Sequence, residues 1–274
     1  MSTSPDWTRF EAFARALTAR VGERLLAFGD AAVEQKADGS LVTEADLWAD
    51  GEIRAAIAAE FPEHGVITEE TEHLFSGTEW CWVVDPIDGT TNFTRGIPIW
   101  GTSMGLLYCG TPVFGLVHFP PLQQTFHGIW IGDSGLDGQS GAFLNGKPIR
   151  TSPDEPSSNH LFNACTRSTS VLQPSLPCKS RVVGVCTYSF LLVATGAVLA
   201  AVEAIPKVWD IAATWAILQA AGGTFEQLGS EPVFPLQTGR DYGSQALPSL
   251  VASRPAVATV FAPLVESVWK NSRF

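Results

Sequence analysis

Apolar side chains recur at helical spacing almost from the start of the chain, predicting an amphipathic helix that runs to about residue 35. Ser4-Pro5-Asp6 supplies its start, with a capping residue and a proline in the first turn. A second helix is predicted from Thr43, whose hydroxyl suits a cap, to the stop at Phe61-Pro62. Between residues 100 and 131 the pattern changes to short apolar runs broken by Cys109-Gly110-Thr111-Pro112 and Pro120-Pro121, the signature of an antiparallel meander. A further strand pair is predicted around Asn145-Gly146. The segment 151–159, rich in proline and serine, reads as a linker dividing residues 1–150 from 151–274.

Beyond the linker, strand and helix alternate. Strands are predicted over 181–185, 199–203, 223–227 and 250–252, and helices near 188–195, 209–221 and 255–269, with Gly222-Gly223 as a helix stop. The expected class is α/β in the layered α+β sense, with helices stacked on sheets. Trp82, Trp100, Trp130 and Trp209 fall within apolar segments and are expected in the core rather than on a carbohydrate-stacking surface.

One apolar run ends unlike the others. Trp82-Val83-Val84 leads into Asp85-Pro86-Ile87-Asp88-Gly89-Thr90-Thr91-Asn92-Phe93. Pro86 holds Asp85 extended, so the strand is expected to break there and turn its polar end outward. Gly89 then allows a tight turn that brings the amides of Gly89, Thr90 and Thr91 near whatever the carboxylates hold. Two carboxylates, a backbone carbonyl and water are ligands that hard Mg²⁺ prefers, although Asp-Pro-x-Asp-Gly alone is also ordinary turn chemistry. Further acids fit the same site. Val66-Ile67-Thr68 ends in Glu69-Glu70, Asp210 stands in the first turn of a predicted helix, and Asp46 follows Thr43. Taken singly, Asp210 and Asp46 also suit plain helix capping.

Composition narrows the partners. With 17 basic and 28 acidic residues the net charge is −11, which argues against a nucleic-acid polymer or an anionic membrane surface. An acidic chain that binds phosphate needs local positive charge, and bound metal provides it. The five cysteines, Cys81, Cys109, Cys165, Cys178 and Cys186, show no metal or disulfide spacing and read as reduced thiols. With no signal-peptide pattern and no apolar run long enough to span a bilayer, the expected location is cytoplasmic. The five histidines have no zinc-binding spacing and read as surface or packed residues.

Glu69-Glu70, then Asp85-Pro86-Ile87-Asp88-Gly89-Thr90, then Trp209-Asp210-Ile211-Ala212-Ala213 resemble, in that order, the signature of the inositol monophosphatase family. Residues 36–46 and Ala194-Thr195-Gly196 also look like that family, so the resemblance covers essentially the whole chain. It implies an α-β-α-β-α sandwich of the inositol monophosphatase / fructose-1,6-bisphosphatase type, a homodimer, lithium sensitivity, and Mg²⁺ as cofactor, two or three ions. By the same resemblance Glu69, Asp85, the Ile87 carbonyl and Asp88 match metal positions, and Asp88 with Asp210 completes a neighbouring one. Asp46 and Thr90 match a hydrogen-bonded pair that, with Glu69, orients the attacking water. Independently of the resemblance, the amides near Gly89 and Thr90 are expected to add fixed donors for the phosphoryl oxygens. Gly184, Val185, Cys186 and Glu203, with Asp88 and Asp210, match substrate contacts.

The implied activity is Mg²⁺-dependent hydrolysis of a small polyol or sugar phosphate, inositol 1-phosphate first. Two departures stand out. Thr68 stands where many members have glycine, which should alter only the turn, and Gly184-Val185-Cys186-Thr187 lacks the acid common in that loop, which bears on substrate. Histidinol-phosphate phosphatases of the superfamily resemble the chain around Tyr188 and Glu203, but tend to carry a carboxylate where Cys186 stands. A cationic amine would favour that charge, so Cys186 favours a neutral substrate. Histidinol phosphate is the nearest rival, followed by fructose bisphosphate and adenosine 3′,5′-bisphosphate. The alternative from another class is a metal-binding scaffold without activity.

Overall fold

Phe10, Ala14, Leu17, Val21 and Leu25 form one buried face of the first helix, α1 (Trp7–Leu26), in a computed structural model that describes residues 4–28, 33–35, 41–169, 172, 176–229 and 232–270. The cap is Asp6, which accepts from the Arg9 amide at 3.0 Å, while Ser4 donates to Asp137. Pro5 therefore precedes the cap instead of opening the helix. α1 also ends well short of residue 35. Val33–Gln35 form β1, paired antiparallel with β2 (Leu41–Thr43). The helical pattern was local, whereas a three-residue strand is decided by its partner. Residues 36–40, expected to form a loop, lie outside the described residues.

α2 (Glu44–Glu60) starts as predicted at Thr43, closed by a capping box in which the Asp46 carboxylate returns to the Thr43 amide. Next come β3 (Gly65–Thr68), β4 (Trp80–Asp88), α3 (Thr90–Thr94), β5 (Gly101–Tyr108), β6 (Thr111–Phe119), β7 (Gln124–Ile129), β8 (Gly141–Leu144) and β9 (Lys147–Pro148). Strands β3 to β9 form one sheet in sequence order, with β3 parallel to β4 and every later pair antiparallel. The meander and the Asn145-Gly146 pair thus stand where the pattern put them. Trp130 lies just past β7 and is half-buried, whereas Trp82, Trp100 and Trp209 are core.

The second part contains β10 (Leu161–Ala164), α4 (Thr166–Thr169), β11 (Lys179–Arg181), α5 (Cys186–Ala194), β12 (Ala200–Glu203), α6 (Val208–Ala220), β13 (Thr224–Gln227), β14 (Ser249–Ala252) and α7 (Pro255–Lys270). Its five strands take the order β11-β10-β12-β14-β13. β10 was not predicted. It is short and interrupted by Asn163, yet lies between β11 and β12 in parallel register. The strand expected at 181–185 sits earlier, at β11, and residues 182–185 lead into α5.

Helices α1 and α2 cover the outer face of the first sheet, α5 and α6 lie between the two sheets, and α4 and α7 cover the far side of the second. The result is an α-β-α-β-α stack. Among the described residues no helix is long and apolar enough to cross a membrane.

A stripe of glycines sets the height of α6. Gly105, Gly115 and Gly128 are register partners across β5, β6 and β7. A Cβ at Gly105 would lie 2.8 Å from the Ala213 amide, one at Gly128 would lie 3.0 Å from Ile217 Cα, and one at Gly115 would overlap the Ala213 carbonyl. Small residues on both sides let the helix backbone rest on the sheet, and its first turn carries Asp210.

Candidate active site

β4 does not stop at Asp85. Pro86 cannot donate to the ladder, and the register with β5 shifts between Asp85 and Asp88, so the expected break is a bulge inside a continuing strand. Both carboxylates consequently turn inward instead of outward, at 1% and 7% exposure. Gly89 follows at φ 94°, a left-handed conformation, and a Cβ there would stand 2.7 Å from Val185 Cγ2. α3 begins at the next residue.

Carboxylate oxygens of Asp85, Asp88 and Asp210 all lie within 4.8 Å of one another. Glu69 leaves β3 beside them, its amide donating to the Val84 carbonyl at 3.2 Å. Asp210 also caps its own helix, accepting from the Lys207 amide at 2.6 Å. Asp46 behaves similarly. Its Oδ2 takes the Thr43 amide at 2.8 Å and the Thr43 hydroxyl at 2.5 Å, while Oδ1 faces the Thr90 hydroxyl at 3.3 Å. Capping thus leaves Asp210 in the cluster and leaves Asp46 an oxygen for Thr90. The Thr90 hydroxyl is also 3.1 Å from the Ile87 carbonyl, so Asp46, Thr90 and Ile87 meet at one point.

Asp88 has a partner that spacing could not suggest. Its Oδ2 accepts from the Thr187 amide at 2.8 Å and from the Thr187 hydroxyl. Val185, at the cap position of α5, offers no side-chain acceptor. Asp88 supplies one from another layer and ties the loop 184–187 to β4.

These acids strain one another. Burial first, then Glu69, Asp88, Asp210 and Asp46, hold the Asp85 carboxyl well above the ordinary range. Burial and then Asp88 do the same to Asp210. Asp88 is raised by burial and partly relieved by Thr187. Asp85 Oδ1 is buried with no hydrogen-bond partner among the described residues. An orphaned acceptor within a nest of buried acids is what a cation would satisfy, and an all-oxygen donor set suits a hard divalent ion.

A cleft of about 430 Å³ opens from Asp88 and Asp210 towards Gly184, Val185, Cys186 and Glu203. Burial pushes the Glu203 carboxyl up to about 8, with Asp88 adding to the rise. Sequence reasoning missed Asn92, Cys165 and Arg167, which also line the cleft. Asn92 joins the run after β4 to the segment leading into α5, donating to the Ile99 carbonyl at 2.9 Å and the Val183 carbonyl at 3.3 Å. A polar residue three places past Gly89 was the available signal.

A sequence model of the inositol monophosphatase family matches residues 6–269. A histidinol-phosphatase of Chlorobaculum parvum is 34% identical over 219 residues, covering 73% of this chain and 78% of that protein. A fructose-1,6-bisphosphatase/inositol-1-monophosphatase of Aquifex aeolicus is 31% identical, covering 72% and 76% respectively. The fold matches the solved IMPase of Thermotoga maritima with a TM-score of 0.78 at 26% identity, over 95% of this chain and 99% of that one. With a family match spanning nearly its whole length and a buried acidic cluster at its centre, the chain belongs to the inositol monophosphatase family, metal-dependent phosphatases that hydrolyse phosphate monoesters.

Proposed function

We propose that this phosphatase uses Mg²⁺ to hydrolyse a small polyol or sugar phosphate, with inositol 1-phosphate as the first candidate. The observation that carries the proposal is the orphaned Asp85 oxygen in a cluster of three aspartates, opening onto a cleft walled by Cys186 and Glu203. Glu69, Asp85 and the Ile87 carbonyl would hold one ion, and Asp88 with Asp210 a neighbouring one. When bound, the metal supplies charge neutralisation for a dianionic ester and acidifies a coordinated water.

The chain's own groups do the rest. Thr90, donating to Asp46 as its geometry permits, leaves its oxygen lone pairs to accept from the attacking water, which Glu69 helps to orient. Gly89 and Thr90 present backbone amides to the phosphoryl oxygens. Water attacks phosphorus directly, so no covalent phosphoenzyme is needed. Lithium at millimolar concentration is expected to inhibit phosphate release in a Mg²⁺-supported assay, and insensitivity would count against the subgroup.

Cys186 decides the leaving-group side. Burial, then the charges of Asp210, Glu203 and Asp88, push its thiol up, so it faces the cleft as a neutral group. Such a wall suits hydroxyls better than an ammonium. A second reading, histidinol phosphate, is favoured by the activity that the Chlorobaculum parvum relative's name states. Phosphate release from inositol 1-phosphate, histidinol phosphate, fructose 1,6-bisphosphate and adenosine 3′,5′-bisphosphate separates the readings, and turnover of none would revive a scaffold role. Cys186→Asp should raise kcat/KM for histidinol phosphate relative to inositol 1-phosphate by about tenfold, the worth of roughly 1.4 kcal/mol of added pairing. An unchanged ratio would show that this loop does not set preference.

A further inference from the structure

We propose that Asp50 is a positioning residue for Glu69, acting through the hydroxyls of Thr71 and Thr68; the proposal rests on the assignment of Glu69 to the reaction above. Asp50 lies one helical turn after Asp46 and is 2% exposed. Its Oδ2 accepts from the Thr71 hydroxyl at 3.0 Å, and Arg54 stands 3.9 Å away, on the solvent side. Oδ1 is buried with no hydrogen-bond partner among the described residues. A carboxylate held this way costs stability. The packing of α2 does not call for one, since Ala45, Ala49, Ile53 and Ile57 fill the rest of its buried face.

What the carboxylate supplies is direction. The Thr71 hydroxyl donates to Asp50 Oδ2, leaving its own lone pairs free to accept. The Thr71 oxygen then accepts from the Thr68 hydroxyl at 3.1 Å, and the Thr68 oxygen accepts from the Thr71 amide at 3.4 Å. All three bonds run one way and close the turn Thr68-Glu69-Glu70-Thr71 on itself. The Thr68 amide adds a bond to the Glu72 carbonyl at 2.8 Å. Glu69 sits inside this turn with its amide on Val84 and its carbonyl 2.8 Å from His73 Nε2. The Thr68 hydroxyl is therefore part of the lock, and a glycine there could not join it. α2 thereby holds both Asp46 and, at one remove, Glu69 in fixed relation to β4.

The test uses the full chain, β-glycerophosphate as a general phosphomonoester, and a Mg²⁺ titration, with circular dichroism to verify folding. Thr71→Val and Asp50→Ala should each lower kcat and raise the half-activating Mg²⁺ concentration by about tenfold, as loss of a ligand's outer partner does, with KM for substrate little changed. Thr71→Ser should restore both parameters towards wild type. Should Asp50→Ala fail to fold, the two Thr71 variants carry the test. Wild-type rate and Mg²⁺ dependence in Thr71→Val, or equal impairment of Thr71→Ser and Thr71→Val, would overturn the proposal. Glu69→Gln distinguishes the layers. If it is inactive while Thr71→Val is normal, only the positioning role falls; if it retains full Mg²⁺-dependent activity, the assignment of Glu69 falls, and the positioning role with it.

Discussion

Asp85→Asn is expected to abolish metal-dependent phosphate release, by at least about a thousandfold, while leaving the protein folded and, without metal, more stable. The side chain is nearly isosteric and lies where β4 bulges around Pro86, so the backbone has no reason to move. Its charge is another matter. Burial and the carboxylates of Glu69, Asp88, Asp210 and Asp46 raise the Asp85 pKa above its unfolded value, so the metal-free protein takes up protons as it folds. The associated stability is complete below the unfolded carboxylate range and is lost as pH rises towards the folded value. Metal-free wild type should therefore lose melting temperature as pH rises above the ordinary carboxylate range, and Asp85→Asn should lose less. Added Mg²⁺ should stabilise the wild type, because only the folded state offers the cluster, and should leave the variant nearly unchanged. Thermal melts with and without Mg²⁺, together with phosphate release, check each part. A variant as active as wild type would remove Asp85 from the reaction.

Gly115→Val is expected to weaken both the fold and metal binding, although Gly115 carries none of the site's chemistry. A Cβ there would overlap the Ala213 carbonyl, a backbone atom that cannot yield as a side-chain tip can. Overpacking of this kind costs about 1–3 kcal/mol, more where backbone must shift, and what must shift is α6. Since Asp210 rides on the first turn of α6, Mg²⁺ affinity should fall along with melting temperature. Gly51→Ala offers the contrast. Gly51 lies in α2 with nothing within 4 Å of its Cβ position, so alanine should stabilise by about 0.5–1 kcal/mol through helix propensity, with Mg²⁺ activation unaltered. Melting temperatures and Mg²⁺ titrations of the two variants check the pair. Unchanged Mg²⁺ activation in Gly115→Val would mean that the glycine stripe does not set the position of Asp210.

The layered fold was legible because most elements announce themselves locally. Thr43 and Asp46 close a box within one turn, and Asn145-Gly146 turns a strand pair. The acidic cluster was legible for a different reason. Asp85 and Asp88 share one strand end, and the resemblance named Asp210 as their distant partner before any geometry was available. What escaped depends on contacts between distant segments. β10 exists through β11 and β12, and β1 through β2, where the helical pattern had suggested a longer α1. The inward turn of Asp85 and Asp88 depends on a bulge whose partner strand begins only at Gly101. Thr187 finds Asp88 across 99 residues, and nothing near either residue marks that pairing. Nothing near Asp50 in the chain marks its bond to Thr71, which lies 21 residues on.

Inorganic phosphate released from inositol 1-phosphate by chelator-stripped protein, followed as Mg²⁺ is titrated in, tests the central claim most directly. A buried carboxylate cluster that works only when its charge is answered predicts no release without the ion and a saturable rise as Mg²⁺ is added. Release at full rate in the stripped protein, or none at any Mg²⁺ concentration, would contradict it.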